Sequence, residues 1–193
     1  MSLVYRVVEV EEYVRIPPSM LKMNKEEAVK EVLISQYKNK YTDAFGLVLD
    51  IIDIKVEQEN VIVINDPKIY FKTRFKILSF TIDRREVMLG IVKDIVEYGA
   101  FVLIGPFEGL VNIAQISDEK FTFNKEKKRL ENADKTKTVE IGDKLYVKVG
   151  TISMRDGPAK AKISLSCRGP GLGNLKWIEE IQTPKNSKKG RSK

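Results

Sequence analysis

The stretch EYGAFVLIGPFEGLVNIAQI, residues 97–116, brings aromatic side chains and glycine turns together. Tyr98, Phe101 and Phe107 lie within ten residues of one another, with glycine or proline at positions 99, 105, 106 and 109. Glycine permits the sharp bends of tight hairpins, which hold neighbouring rings close to each other. An aromatic ring can pack in a protein core or stack on the flat face of a nucleic acid base. The spacing therefore predicts a cluster of rings with these two candidate roles.

The three rings differ in what their sequence context predicts. Phe101 stands inside a predicted strand, where core filling and base stacking both remain open. Tyr98 stands at a turn, where it either covers the turn or offers its ring to a base. Phe107 follows Pro106 and precedes a glycine turn, so we expect this ring to be exposed and available to a partner.

The composition argues against several kinds of catalyst. The 193 residues contain no histidine and a single cysteine, Cys167, which removes the commonest acid–base group and the commonest zinc ligands. The chain has no phosphate-binding GxxxxGK[ST] loop and no GxSxG nucleophile motif. Cys167 is expected to be a small buried residue in a reducing compartment, because it has no partner for an internal disulfide. No metal, no cofactor and no catalytic site are predicted.

The positive charge is concentrated in the second half of the chain. Residues 1–84 hold 13 basic and 13 acidic side chains, whereas residues 85–193 hold 21 basic and 14 acidic ones, which accounts for the whole net charge of +7. A neutral first half suits protein contacts, and a basic second half suits a polyanion such as RNA. No run reaches the roughly 18 apolar residues of a membrane span and no secretory signal is seen, so a cytoplasmic protein without membrane contact is expected.

The first 83 residues predict strands around one helix. Apolar residues of one parity between Val4 and Ile16 indicate a strand, and Asn24 with Glu27 predicts the capped start of a helix that ends near Asn39. Segments 47–56, 61–64 and 69–82 read as three further strands, with 39–46 as a loop. The last strand alternates apolar residues with Lys72, Arg74 and Lys76, which predicts one core face and one solvated basic face.

From residue 86 onward the pattern changes to five short strands. They read VMLGIVKDIV, AFVLI, GLVNI, KLYVKVGTI and KAKISLS, with a polar, lysine-rich connection at 117–140. Five strands with one long connection are typical of a closed barrel of the oligonucleotide-binding (OB) type. The predicted fold is therefore an α+β domain over 1–83 and an all-β five-stranded barrel with a C-terminal segment over 84–182. Residues 183–193, with five basic and no acidic side chains, are predicted to be a disordered tail.

The pieces GIVKDIVEYGAFVLIGPFEGLVNIAQI, IGDKLYVKV and KISLSCR, in that order, resemble the S1-type RNA-binding domain over residues 86–168. The resemblance implies that one barrel face binds single-stranded RNA through exposed aromatic and basic side chains. The family's frequent histidine after GLV is replaced by an asparagine, which predicts weak, sequence-tolerant binding. The positions so assigned to RNA binding are Tyr98, Phe101, Asn112, Lys148, Lys160, Lys162 and Arg168.

The flanking sequences extend the resemblance to nearly the whole chain. The opening VYRVVEVEEYVRIPP, the FGLVLDI segment and the closing RGPGLGNLKWIEE resemble the larger stalk subunit of archaeal RNA polymerase, known as E-prime, over residues 4–182. The resemblance implies a ribonucleoprotein-like first domain that docks on the polymerase core and a noncatalytic role in initiation, elongation and termination. It also implies a small helical stalk subunit as partner and nascent single-stranded RNA as ligand.

The resemblance leads to two sets of predicted protein contacts. Docking on the core is assigned to a loop and a turn of the first domain, with residues Tyr41, Asp43, Phe45, Gly46, Asn65, Asp66 and Pro67. Partner contact is assigned to the apolar residues of the closing segment, Leu175, Trp177, Ile178 and Ile181, although Trp177 could equally pack on its own barrel.

Two other functions remain open at the level of sequence. An RNA exosome cap subunit also carries this barrel, but such caps usually have a further RNA-binding module, and only about 25 residues follow the barrel here. A metal-dependent ribonuclease would need paired carboxylates, and Asp50 and Asp53 are candidates. A spacing of three on a strand points these two side chains to opposite faces, which disfavours a shared metal ion.

Overall fold

The chain folds into two compact units, Met1–Ile82 and Asp83–Lys193. The computed structural model describes residues 5–62, 68–154 and 157–182, without the side chains of 58–60, 62 and 180–182. The predicted tail 183–193 and the predicted docking residues Asn65, Asp66 and Pro67 lie outside the described residues. No helix in the described part of the chain is long and apolar enough to cross a membrane.

The first unit is a four-stranded antiparallel sheet with one helix. The strands are β1 (Tyr5–Ile16), β2 (Tyr41–Thr42), β3 (Gly46–Ile62) and β4 (Ile69–Phe80), and the helix is α1 (Lys25–Tyr37). The sheet order is β1-β4-β3-β2. The predicted cap is confirmed, because the Asn24 side chain accepts a hydrogen bond from the Glu26 backbone N–H at 3.0 Å.

The core of this unit lies between the helix and one face of the sheet. Val14 and Ile16 of β1, Phe75 and Ile77 of β4 and Leu33 of α1 are buried in one cluster. The buried strand residues occupy alternate positions, which is the parity that the sequence predicts for β1 and β4. Burial of this face fixes the register of the two long strands, because a slip of one residue would expose it.

The opposite face of the sheet carries a ladder of ion pairs. Lys72 and Arg74 both contact Glu11, at 3.0 and 2.9 Å, and Lys76 contacts Asp53 at 2.7 Å. Hydrogen bonds from Arg74 and then Lys72 lower the pKa of the Glu11 carboxyl below its ordinary value. The basic stripe of β4 is therefore neutralised by acids of β1 and β3, which makes it a poor candidate for a phosphate-binding face.

Two boundaries of the first unit differ from the sequence prediction. The sequence predicts two strands over 47–56 and 61–64, but a single strand, β3, covers the first and reaches the start of the second. The predicted loop before it contains a short strand, β2, which pairs with the start of β3. The pairing of β3 with β4 shifts register at three places. Such bulges let one strand continue past residues that break the alternation on which the prediction relied.

The second unit contains a closed five-stranded barrel. Its strands are β5 (Val87–Val96), β6 (Gly99–Ile104), β7 (Phe107–Asn112), β11 (Lys144–Ser153) and β12 (Lys162–Ser166). They pair in the order β12-β7-β6-β5-β11, and pairing of β11 with β12 closes the ring. All five correspond to strands predicted from the sequence. The predicted fold class, an α+β domain followed by an OB-type barrel, is confirmed.

The polar connection after β7 has structure that its sequence did not reveal. It forms a three-stranded sheet of β8 (Phe121–Asn124), β9 (Arg129–Asn132) and β10 (Thr138–Val139). Phe121, Leu130 and Val139 are its buried apolar residues. One buried apolar residue per strand is too few for a detectable period, so the sequence shows only a polar, lysine-rich connection there.

The closing segment completes the barrel unit. Strand β13 (Gly173–Asn174) pairs with β11, and the helix α2 (Leu175–Gln182) follows it. The buried Asp143 carboxylate accepts hydrogen bonds from Asn174 at 2.8 Å and from Lys176 at 2.6 Å. Because a buried carboxylate needs such partners, these bonds fasten the segment to the start of β11.

Candidate nucleic-acid interface

A cleft of about 810 Å³ opens on the outer face of the barrel, across β6, β7, β12 and β11. Three of the residues predicted to bind RNA line it together, namely Phe101 on β6, Asn112 at the end of β7 and Lys162 at the start of β12. The alternation of the strands produces this arrangement, since Val102, Val111 and Ile163 point inward and are buried. The cleft thus combines an aromatic ring, an amide and a lysine on one surface.

Tyr98 extends the aromatic surface beside the cleft. Its ring is 54% exposed and lies edge-on to the ring of Phe101, with centroids 6.4 Å apart. Phe101 itself is half-buried on the outward side of β6, so it does not fill the barrel core. Of the two roles left open for these rings, the geometry favours a surface on which bases can stack.

The prediction for Phe107 was wrong. Its side chain is only 2% exposed and belongs to the core of the barrel unit. Phe107 opens β7 and pairs with Ile104 across the Gly105–Pro106 turn. The turn is tight enough that the strand begins at Phe107 itself, and the inward parity of β7 then carries this ring into the core.

The pairing of β11 with β12 is interrupted at the edge of the cleft, where Gly150 and Thr151 line it. The register shifts between Val149 and Ile152, which leaves Gly150 and Thr151 without ladder partners on β12. The Thr151 backbone N–H donates instead to Ser164 Oγ at 2.8 Å, and the Thr151 hydroxyl lies 2.8 Å from the same oxygen. A Cβ atom on Gly150 would lie 2.7 Å from Ser164 Oγ, so glycine keeps this edge of the cleft open.

Asn112 and Gln115 supply the amide groups of the cleft. The Asn112 side-chain oxygen accepts a hydrogen bond from the Ala114 backbone N–H at 3.0 Å and caps a short 3-10 helix, Ile113–Gln115. Gln115 Oε1 accepts the Ser166 hydroxyl at 2.8 Å. Gln115 was not among the residues predicted from the sequence. The signal was its place three residues after Asn112, where one turn of helix returns a side chain to the same side.

The predicted basic residues divide into free and paired ones. Lys148, Lys160 and Lys162 are exposed and have no ion-pair partner among the described residues. Arg168, in contrast, pairs with Asp118, with its Nε and Nη2 both 2.8 Å from Oδ1. Lys162 is the free lysine that lines the cleft, and Lys160 is two residues before it. Free cations beside stacking rings are what a single strand of nucleic acid requires.

The buried cysteine is chemically quiet. Cys167 is 3% exposed, and burial raises the pKa of its thiol to about 12. Its backbone N–H donates to the Gln115 carbonyl at 2.8 Å, which ties the end of β12 to the 3-10 helix of the cleft. The predicted role as a small buried residue is confirmed.

The residues predicted to contact a partner lie on α2, directly after β13. Trp177 is half-buried and packs on Phe121 of the small sheet, with ring centroids 5.8 Å apart. Leu175 and Ile178 are also half-buried, and the side chain of Ile181 is outside the described residues. Part of the Trp177 ring therefore packs on its own domain.

The described docking residues lie on β2, in the turn that follows it and at the first position of β3. Tyr41 is 38% exposed and Asp43 is exposed, whereas Phe45 packs against the core of the first unit. Gly46 has a φ of +77°, and a Cβ atom there would lie 2.5 Å from the Phe80 carbonyl oxygen. Other residues rarely adopt this backbone conformation, so glycine is required at position 46.

The two carboxylates that were candidates for binding a metal ion each form an ion pair with a lysine. Asp50 pairs with Lys38 at 3.0 Å and Asp53 with Lys76 at 2.7 Å, and these lysines lower the pKa of each carboxyl. Within the described ranges, no group of three or more potential ligands could hold a metal ion.

The chain matches two family models that follow one another. The SHS2 domain found in the N terminus of Rpb7p and Rpc25p matches residues 11–67, and the S1 RNA binding domain matches residues 83–168. The fold and the cleft thus define a two-domain protein in which an SHS2 domain precedes an S1 barrel.

Curated relatives identify the family. DNA-directed RNA polymerase subunit Rpo7 of Saccharolobus solfataricus is 30% identical over 178 residues, which cover 92% of this chain and 99% of that protein. The protein of the same name in Sulfolobus acidocaldarius is 30% identical over 176 residues, covering 91% and 96%. DNA-directed RNA polymerase III subunit rpc8 of Schizosaccharomyces pombe is 31% identical over 97 residues, covering 50% and 48%. The chain belongs to the Rpo7 family of DNA-directed RNA polymerase subunits, which confirms the resemblance to the stalk subunit. These relatives favour neither of the two alternative functions, the exosome cap subunit and the metal-dependent ribonuclease.

Proposed function

We propose that this chain is a noncatalytic stalk subunit of a DNA-directed RNA polymerase whose barrel holds single-stranded RNA as the transcript emerges. The observation that carries the proposal is the cleft, where Phe101, with Tyr98 beside it, faces Lys162. Stacking on the rings does not depend on base identity, and the lysine follows the phosphate backbone. Such a surface retains RNA without reacting with it, which suits a subunit that supports initiation, elongation and termination.

The experiment is titration of the purified protein with a labelled single-stranded RNA of about 12 nucleotides. We expect saturable binding that weakens as salt is raised, because lysine contacts to phosphates release counterions. A duplex of the same sequence should bind more weakly, since its bases are not free to stack on the rings. Absence of single-strand binding at low salt would contradict the proposal, and turnover of the RNA with Mg²⁺ would favour the ribonuclease instead.

The second part of the proposal is that this chain binds a small helical subunit, the partner that the family resemblance implies. The outward side of β5 exposes Val87, Leu89 and Ile91 by 53, 47 and 47%, and Leu103 and Ile141 beside them are exposed by 39 and 51%. We name these five residues the β5 patch. Contiguous apolar side chains on a surface are typical of a protein interface. The β5 patch and the start of α2 lie beside the same strand, because β11 pairs with both β5 and β13, and α2 directly follows β13.

Co-purification with the small helical partner tests this surface. Leu89→Asp combined with Ile91→Asp should abolish the complex, because both side chains are outward and a buried aspartate lacks a partner. The matched control, Lys125→Asp, changes charge on the exposed hairpin between β8 and β9 and should leave the complex intact. A complex that survives the double variant but fails with Ile178→Asp would assign the interface to α2 alone.

Attachment to the polymerase core is the third part of the proposal. Tyr41 on β2 and Asp43 on the following turn present exposed side chains, and Gly46 fixes the shape of that turn. Loss of core association in Tyr41→Ala with Asp43→Lys, while RNA binding is kept, would support docking by this turn. Core association at the level of the unmodified chain would exclude the turn.

A further inference from the structure

We infer that the β5 patch binds an acidic helix, in which carboxylates flank an apolar stripe, and that free lysines at the rim of the patch steer this helix into place. The inference rests on the proposed small helical partner and deepens it, because it gives the chemistry of the surface that the partner must present. It also assigns Lys148 to the protein interface, whereas the family resemblance assigns this residue to RNA binding.

The β5 patch lies on the face of the sheet and not at an edge. Its central strand, β5, pairs with β6 on one side and with β11 on the other. Hydrogen bonds to both neighbours engage the backbone of β5, so a partner cannot add a strand beside it, and the side chains of a helix can cover the face instead. From Val87 to Ile91 the patch extends for about 13 Å, which is the length of about nine residues of α-helix.

Two lysines of β11 stand beside the patch. Lys144 is directly opposite Ile91 in the pairing of β11 with β5, and Lys148 is directly opposite Val87. Residues directly opposite each other in an antiparallel pair have their side chains on the same face of the sheet. Both lysines are exposed, and neither has an ion-pair partner in the part of the chain that the structure describes. The apolar patch therefore has free positive charge along its β11 side.

The acidic side chains that are next to the patch in sequence or in strand pairing are already bonded within the chain. The bonds join Glu108 to Lys93 at 2.5 Å, Glu140 to Arg129 at 3.0 Å, Asp143 to Lys176 at 2.6 Å, and Glu86 to the backbone N–H of Asp83 at 3.2 Å. An incoming helix thus meets unpaired lysines and paired acids. Carboxylates beside its apolar stripe complement such a rim, and complementarity of this kind governs partner choice and association rate more than final affinity.

Lys148 stands between the patch and the RNA cleft. Its neighbour on the other side of β11 is Ser166 of β12, which lines the cleft. The Ser166 hydroxyl is engaged with Gln115 at 2.8 Å, and the lysine that lines the cleft is Lys162. Lys148 is therefore better placed to meet a helix on the β5 patch than to hold RNA in the cleft.

Rapid mixing of the full chain with the separately purified small stalk subunit tests the inference. The readouts are the association and dissociation rate constants at low and high salt. The interface variant combines Lys144→Glu with Lys148→Glu. The matched control combines Lys125→Glu with Lys127→Glu, which are exposed lysines on the hairpin between β8 and β9. Both variants change the net charge equally, so a difference between them reports where the charge is located.

At low salt the interface variant should associate more slowly than the control by about tenfold or more, because like charges then face each other. Its dissociation rate should change little, since charges at a rim act mainly on the encounter. The difference should vanish near 1 M salt, where the screening length is about 3 Å. Association that does not depend on salt, or equal slowing in both variants, would overturn the inference.

Titration of the same variants with single-stranded RNA separates the two assignments of Lys148. The interface variant should bind RNA as the control does, because the rings and Lys162 are unchanged. A loss of RNA affinity beyond that of the control, with normal association of the small subunit, would assign these lysines to RNA and overturn the inference. Failure of the unmodified chains to form a complex at any salt concentration would instead refute the proposed partner.

Discussion

Replacement of Tyr98, the ring beside the cleft, by alanine separates RNA binding from folding more cleanly than replacement of the half-buried Phe101. The ring is 54% exposed, and it approaches Phe101 edge-on with centroids 6.4 Å apart. Loss of an exposed side chain usually changes the free energy of unfolding by about 0.5 kcal/mol or less. The broken ring pair adds at most about 0.5–1.5 kcal/mol. Tyr98→Ala should therefore stay folded.

The loss in affinity is expected to be larger than the loss in stability. Stacking of one base on an aromatic side chain contributes about 1–3 kcal/mol, and about 1.4 kcal/mol corresponds to a factor of ten. The dissociation constant for single-stranded RNA should then rise by roughly 5- to 150-fold. The salt dependence should hardly change, because the tyrosine ring carries no charge. Phe101→Ala should lower affinity as well, but its half-buried ring contributes to packing, so its effect mixes binding with folding.

The assay is anisotropy titration at several salt concentrations, with Lys162→Gln measured in parallel. The lysine variant should bind more weakly and with a shallower salt slope, by about 0.7 for each phosphate that is no longer neutralised on a single strand. Stacking and charge neutralisation thus give two different signatures. Unchanged affinity in folded Tyr98→Ala would remove this ring from the site. If Lys162→Gln also bound normally, the outer face of the barrel would be a protein-docking surface instead.

Three further outcomes follow from the structure. Gly46→Ala should lower the free energy of unfolding of the first unit by at least about 1–2 kcal/mol in denaturant titration, because φ is +77° and the new Cβ would meet the Phe80 carbonyl oxygen. Cys167 should resist a thiol reagent in native protein and react fully in denaturant, since burial raises its pKa to about 12. Ion pairs lower the pKa of Glu11 and Asp53 in the folded state, so the stability they contribute is present above their ordinary pKa values and is lost as pH falls through the folded ones. Thermal unfolding at decreasing pH, in low and high salt, measures that loss, and a melting temperature unaffected by acid would contradict it.

The barrel strands could be predicted because the residues in and around each strand mark where it begins and ends. Glycine turns bound β6 and β7, and alternation marks which residues of β11 and β12 point inward. The same local rules, together with the family resemblance, assign Phe101, Asn112 and Lys162 to one surface from the sequence alone. Closure of β12 on β7 brings them together, and that pairing follows from the family's order of strands.

The amide pair could not be predicted, because its chemistry depends on bonds made over long sequence separations. Gln115 is oriented by Ser166, which is 51 residues away, and Ser166 is in turn held by the backbone of Arg168. Nothing in the stretch GLVNIAQ indicates which end of either amide is engaged. The prediction that Phe107 is exposed was wrong for a related reason. Its exposure depends on where β7 begins, and the two-residue turn before it places that start at Phe107 itself.

The segment after residue 168 is part of the barrel unit, although the S1 family model does not extend to it. The S1 match ends at residue 168, yet β13 pairs with β11 and Asn174 is fully buried against Asp143. Trp177 then packs on Phe121, which lies in the small sheet after β7. One segment thus links the first residues of β11 with the connection that precedes it. The apolar residues of α2 act first within their own domain, so a partner that touches them meets a surface whose shape depends on this attachment.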